Sequence, residues 1–336
     1  MQPILLWNRL TQEMCWAQLK IASAAILPFV VIYLLTNDIQ WISTAGLVCI
    51  CTIIVWDKLA LSWVGVLLHG LAIAVGFIAL ALARILELPH LFIALCIGMA
   101  CISIRIARQG EVLRSLGNFT FIPTLYLASE MVLAGEVNVQ IADLRASLFK
   151  IIIGAIPTVG LAIYKQPTTC CLSFKNDFGQ QRPTVEPCLA ATVAVGIAAY
   201  VAGRFSIDHG QWLIWSAASI VTTEAGIEHW KLGNRTLGAL IGVPIGIGVG
   251  LVLPHTSPVF GLDVAATLLT LLAFKRYLLG FTARCALIAV GITVTGQSAA
   301  IGSERIANVI IGGLIGFSSV FLVRTARRYI YNLRVI

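Results

Sequence analysis

The amino-acid sequence predicts an all-α integral membrane protein of about twelve transmembrane helices, arranged as two parallel six-helix repeats. Three observations lead there: charged residues are scarce, apolar runs recur along the whole chain, and its two halves share motifs in the same order. Hydrophobic residues fill 59% of 336 positions and charged residues only 11%, whereas a soluble domain carries about a quarter charged residues. The charge needed to solvate a surface is missing, so lipid must cover much of it. No stretch is long and polar enough to form a separate water-soluble domain.

The apolar runs fall near 21–36, 41–56, 60–83, 91–104, 118–134 and 148–164, then near 187–203, 212–223, 236–253, 259–274, 283–300 and 306–323. Each is bounded by charges or turn residues, and a bilayer core of roughly 30 Å takes about 20 helical residues. Ahead of the first run, Trp7, Leu10, Met14 and Ala17 recur at helical spacing. They predict an interfacial N-terminal helix over 1–18 lying on the membrane. Arg9, Glu13 and Lys20 precede the first run and no small-residue cleavage site follows, so no cleaved signal is expected.

Loop charges orient the chain. With the N-terminus in the cytoplasm, Arg84, Arg145, Lys150, Arg204 and Arg305 fall outside, and the rest of the 23 basic residues fall inside. That is the asymmetry the positive-inside rule requires, and it puts both termini in the cytoplasm. The net charge of +8 is read mainly as loop placement against anionic headgroups, with an anionic substrate as a further source. Few basic residues cluster on any polar stretch, so nucleic acid is not an expected partner.

The halves match in order. Gln40-Trp41 opens the second run and Gln211-Trp212 opens its counterpart. Arg105, Gly110 and Arg114 align without a gap on Lys275, Gly280 and Arg284. Asp143 and Arg145 precede Ile152-Ile153-Gly154, as Glu304-Arg305 precedes Ile310-Ile311-Gly312. Six runs per half is an even number, so the repeats insert the same way up, about an axis along the membrane normal. The expected organisation is a first repeat over 19–165, a cytoplasmic linker over 166–186, a second repeat over 187–325 and a basic cytoplasmic tail over 326–336.

In the second half Trp212 opens a run, Glu224 and Lys231 follow, and Arg235 begins a helix with glycines at 238, 242, 246 and 250. The last run repeats the idea with Arg305, Gly312 and Gly316. This pattern resembles the fusaric acid resistance (FUSC) family, related to the aromatic acid exporters and the plant aluminium-activated malate transporters. The resemblance is best over roughly 187–323 and weaker over 18–164. The large cytoplasmic domain of the longer exporters is absent. The resemblance implies efflux of small aromatic or other organic acids, an inner-membrane location and a periplasmic adaptor protein as partner.

Several residues remain open to two readings. Gly238, Gly242, Gly246 and Gly250 form one helix face, either a packing seam or a path lined by bare backbone. Arg235 and Arg305 are either interfacial anchors or guanidiniums that pair with a substrate carboxylate. The runs 91–104 and 259–274 look too short to cross a core of about 30 Å. Arg105, Arg108, Lys275 and Arg276 would then line a cytoplasmic recess, rather than simply orienting the chain. His69 lies inside an apolar run and reads as a proton relay or as a histidine bonded to a carbonyl.

No catalytic constellation is present: the sequence has no nucleophile elbow, P-loop or zinc-ligand spacing. The nine cysteines form no C-x-x-C pair and read as reduced, small apolar residues. No enzyme activity, metal or cofactor is expected, and transport would need an ion gradient. The expected function is proton-driven export of small organic, mainly aromatic carboxylic, acids from the cytoplasm, by a monomer or a homo-oligomer. The rival readings are a passive organic-anion channel and a non-transporting membrane scaffold.

Overall fold

The structure, a computed structural model, describes residues 12–110, 112–131, 137–165, 184–222 and 226–335. Within them the chain forms α1 (Trp16–Thr36), α2 (Trp41–Leu59), α3 (Trp63–Ile85), α4 (Pro89–Gln109), α5 (Arg114–Glu130) and α6 (Val137–Lys165). The second set is α7 (Val185–Arg204), α8 (Gly210–Val221), α9 (Glu228–Val252), α10 (Ser257–Leu269), α11 (Tyr277–Val294) and α12 (Ala299–Val335). Each overlaps one of the apolar runs. Among the described residues, nine helices are long and apolar enough to cross a membrane. The others, α5, α8 and α10, hold 17, 12 and 13 residues.

Local chemistry sets the ends. Ser62 caps α3 by accepting the Gly65 N–H at 3.3 Å, which satisfies one of the donors a helix start leaves open. Pro89 starts α4 and Pro258 sits in the first turn of α10, where a missing N–H costs no helical bond. Asn37 ends α1 in the left-handed conformation and returns its N–H to the Tyr33 carbonyl. The first turn of α2, Trp41–Gly46, is π-helical.

Packing divides the chain into two compact units, Met1–Ile50 with Gly233–Ile306, and Cys51–Leu232 with Ala307–Ile336. The boundaries fall inside α2, α9 and α12, which differs from a division into consecutive halves. In the first unit α10 packs on α1, on the opening of α2 and on α11. In the second, α3 packs on α5 and α6, α4 on α5 and α7, and α7 on α8. Phe77, Phe121, Leu125, Ile151, Leu213 and Ile220 fill its core. Leucines and isoleucines such as Leu35, Leu71, Ile152 and Leu322 are exposed; on a soluble protein they would form adhesive patches, and in a bilayer they face acyl chains.

Several expectations from the apolar runs need correction. Run 91–104 is part of a 21-residue helix, about 31 Å long at 1.5 Å per residue. Arg105 and Arg108 therefore lie on the last turns of α4 and do not follow a shortened helix. In the second half the expectation of a short segment holds, since α10 ends at Leu269 and turns cover 270–276. Lys150, Arg284 and Arg305, read as loop residues, all lie within helices, because α6, α11 and α12 begin well upstream of the strictly apolar stretch.

At the N-terminus, residues 1–11 of the expected interfacial helix lie outside the described residues. Gln12 is helical, but Glu13, Met14 and Cys15 are not. The Met14 backbone bridges Phe274 antiparallel, Cys15 N–H donates to the Ala273 carbonyl at 2.8 Å, and Lys275 N–H to the Glu13 carbonyl at 2.9 Å. Linker residues 166–183 and Glu224 also lie outside the described residues. The expected tail continues α12 as helix to Val335.

Candidate functional site

In the first unit, α9 runs along α11 on its glycines. A side chain at position 242 would begin against the Thr282 carbonyl, and one at 246 against the carbonyl of Ala286. At 238 and 250 the first atom would lie 2.7 Å from the Phe281 ring and 2.6 Å from Thr293 Cβ. With no hydrophobic effect between helices in lipid, such backbone-close contact is what joins them. The spacing of four residues keeps all four glycines on one stripe.

That seam gathers three arginines. Arg235 on α9 is buried, 3% exposed; it donates to the Tyr277 hydroxyl at 3.1 Å and its guanidinium lies 4.6 Å above the Phe281 ring. Arg284, half-buried in the middle third of α11, donates from Nε to Thr270 Oγ1 at 3.1 Å and from Nη2 to the Thr270 carbonyl at 3.3 Å. Arg305 on α12 is 5% exposed. Arg305 and Arg235 are close enough to repel the Arg284 charge, while Tyr277 and Cys285 also lie within electrostatic reach and act in the opposite sense. Tyr277 and Phe281 stack beside the cluster, with centroids 6.0 Å apart and planes 16° apart.

Like charges gathered inside an apolar helix bundle are costly. Repulsion between like charges grows as the local dielectric falls, so it is weaker in water than inside the bundle. Ionisable groups within membrane helices mark substrate pathways or proton relays. An anion placed here would relieve the repulsion, accept guanidinium N–H bonds, and set an apolar body against the Tyr277–Phe281 pair.

The other basic candidates are placed differently. Lys275 Nζ donates to the Gln12 carbonyl at 2.7 Å, and Arg276 pairs with Glu13 at 3.0 Å with its side chain 74% exposed. Both hold the N-terminal segment onto the turn between α10 and α11. In the second unit Arg105 is exposed and Arg108 half-buried. His69 on α3 is buried, 3% exposed, with its ring turned toward the Phe119 carbonyl and neither nitrogen in hydrogen-bond geometry.

Two features escaped the sequence reading. Arg284 stands at the start of run 283–300 and counts there with the loop charges; Tyr277-Leu278-Leu279 before it is the signal that the helix has already begun. An ionic cluster in the second unit joins distant helix ends. Arg324 contacts Glu228 at 2.5 Å and Glu186 at 3.1 Å, and Arg327 contacts Glu186 at 2.7 Å. Among the described residues, no group of three or more metal-ligating side chains converges.

Residues 194–319 match the family model described as fusaric acid resistance protein-like. Over that segment, somewhat more than a third of the chain, the protein is similar to this family. The match covers Arg235, Arg284, Arg305 and the whole glycine stripe, so the FUSC-like segment contains the arginine cluster entire. Family and apolar helices together make the chain a multi-pass membrane protein, as expected of a transporter. No curated protein and no solved structure matches the chain.

Proposed function

We propose that this FUSC-like protein exports small organic acids, chiefly aromatic carboxylates, across a bacterial inner membrane, driven by the proton gradient and without enzymatic activity. The observation behind this reading is the cluster of Arg235, Arg284 and Arg305 inside a helix bundle, beside a stacked Tyr277–Phe281 pair. A guanidinium presents a planar fork that suits a carboxylate, and the aromatic pair suits a ring. Arg105 and Arg108 in one unit, and separately Lys275 and Arg276 in the other, raise the local concentration of anions at the cytoplasmic surface. In this reading the twelve helices are twelve spans in two parallel repeats, both termini are cytoplasmic, and a periplasmic adaptor receives the product.

Purified protein in proteoliposomes tests it, with radiolabelled benzoate as probe. Benzoate accumulates in vesicles whose lumen is more acidic than the medium, because protons leave in exchange for it, and accumulation stops when a protonophore collapses the gradient. A current that persists after collapse identifies a passive channel instead. Absence of benzoate, salicylate and malate movement under all conditions overturns the transport reading in favour of a scaffold.

A further inference from the structure

Helix α10 contains a single acidic residue, Asp263, in the sequence SPVFGLDVAATLL. It is 8% exposed, and its Oδ1 is buried without a hydrogen-bond partner. The carboxyl fits against α11 because position 291 is glycine: a side chain there would begin 2.8 Å from Oδ2, and 3.5 Å from the Phe260 ring one turn away. One turn further along α10, the buried Thr267 hydroxyl also has no hydrogen-bond partner.

The titratable groups on the elements packed around α10 are committed elsewhere. Tyr33 of α1 donates its hydroxyl to the Ser257 carbonyl, almost two turns away. Arg284 of α11 is held on Thr270 at the other end. Asp38, before α2, accepts the Gln40 N–H at 3.0 Å; Lys20, at the start of α1, is exposed. Cys49 and Cys285 are buried thiols. None of these charges acts on the Asp263 carboxyl. An ionised carboxylate in such surroundings is uncompensated, whereas the neutral acid is tolerated, and ionisable groups buried in membrane helices that lack a structural partner recur in proton relays.

We propose that Asp263 is the proton-binding carboxyl of the transport cycle. It holds one proton while enclosed between α10 and α11 and exchanges it with water when the cycle opens this seam. The step is a proton transfer alone: hydronium and carboxylate give water and the neutral acid, and the reverse step releases the proton on the other side. This rests on the transport reading above and assigns its coupling group.

Two measurements on the full chain test it. Native membranes treated with dicyclohexylcarbodiimide, which adds to protonated carboxyls in apolar surroundings, give a peptide adduct mapped by mass spectrometry. The adduct falls on Asp263 at neutral pH and fades as the pH is made strongly alkaline. In proteoliposomes, Asp263→Asn loses proton-driven benzoate accumulation at least tenfold but keeps benzoate–benzoate exchange, which needs no net proton movement. No adduct at 263, or accumulation by Asp263→Asn equal to that of the unaltered chain, overturns the proposal. If Asp263→Asn fails to insert, Asp263→Glu takes its place: it retains accumulation with a displaced pH profile, and an unmoved profile counts against the proposal. If the unaltered chain moves no benzoate in either mode, the transport reading falls, and the adduct and its pH dependence alone decide whether Asp263 binds a proton.

Discussion

The carbonyl of Ala286 occupies the place where a side chain at position 246 would begin. Backbone cannot yield there as a flexible side chain can, so Gly246→Ala must push α9 away from α11. Inserting one methyl group into such a contact costs about 1–3 kcal/mol. Two residues on, nothing lies within 4 Å of the corresponding point at Gly248. Thermal unfolding in detergent lowers the midpoint for Gly246→Ala and leaves Gly248→Ala near the unaltered value. Equal midpoints for the two would show that the seam is looser than described.

The arginine cluster makes a graded demand on transport. A charge-assisted hydrogen bond to a buried carboxylate is worth about 1.5–3 kcal/mol, roughly ten- to hundredfold in affinity. Arg284→Gln and Arg305→Gln therefore each raise the benzoate concentration for half-maximal uptake by about that factor. Arg105→Gln, on an exposed turn, changes it by less than about threefold. Both sets are read at matched protein levels. A larger effect at 105 than at 284 would move the recognition site to the end of α4.

The ionic cluster of α7, α9 and α12 contributes to stability where the Glu13–Arg276 pair does not. Glu228 is buried, with its side chain 7% exposed against Arg324, so Glu228→Gln leaves a charge short of its partner. The expected loss is about 1–3 kcal/mol. Arg276 is largely in solvent, and Glu13→Gln shifts stability by no more than about 1 kcal/mol. Unfolding midpoints at low and high salt check both, since screening weakens the exposed pair first.

Orientation is read by thiol labelling. In an otherwise cysteine-free chain, a cysteine at Thr256, between α9 and α10, reacts with an impermeant maleimide added to spheroplasts. A cysteine at Lys175 reacts only after the membrane is opened. The reverse pattern inverts the topology.

The sequence reading located the helices because the apolar runs are long and their neighbours are charged, and each run became one helix. It failed at charged residues that belong inside. Arg284, Arg305 and Lys150 were assigned to loops because, in a membrane chain, a charge is the ordinary sign of a span's end. A charge within a span gives the same local signal, and only packing separates the two. Asp263 was passed over for a related reason: hydropathy averages a single carboxylate into the leucines and alanines around it. Arg235 and Arg305 were visible as candidates through their position ahead of glycine-rich stretches, yet their meeting with Arg284 required the pairing of α9, α11 and α12. The Arg324–Glu186–Glu228 cluster joins positions up to 138 residues apart, and nothing in the local sequence links them.

The first packing unit joins Met1–Ile50 to Gly233–Ile306, and this sets a schedule for biogenesis. Helix α1 leaves the ribosome early, but the α10 face against which Tyr33 packs is not yet made. Synthesis of the intervening residues takes on the order of ten to forty seconds at 5–20 residues per second. During that interval α1 and the start of α2 wait in the bilayer without their final neighbours. Their early hold on the membrane therefore rests mainly on apolar length, and a slow translation site between α2 and α9 would lengthen the exposure of the Tyr33 hydroxyl, which later meets Ser257.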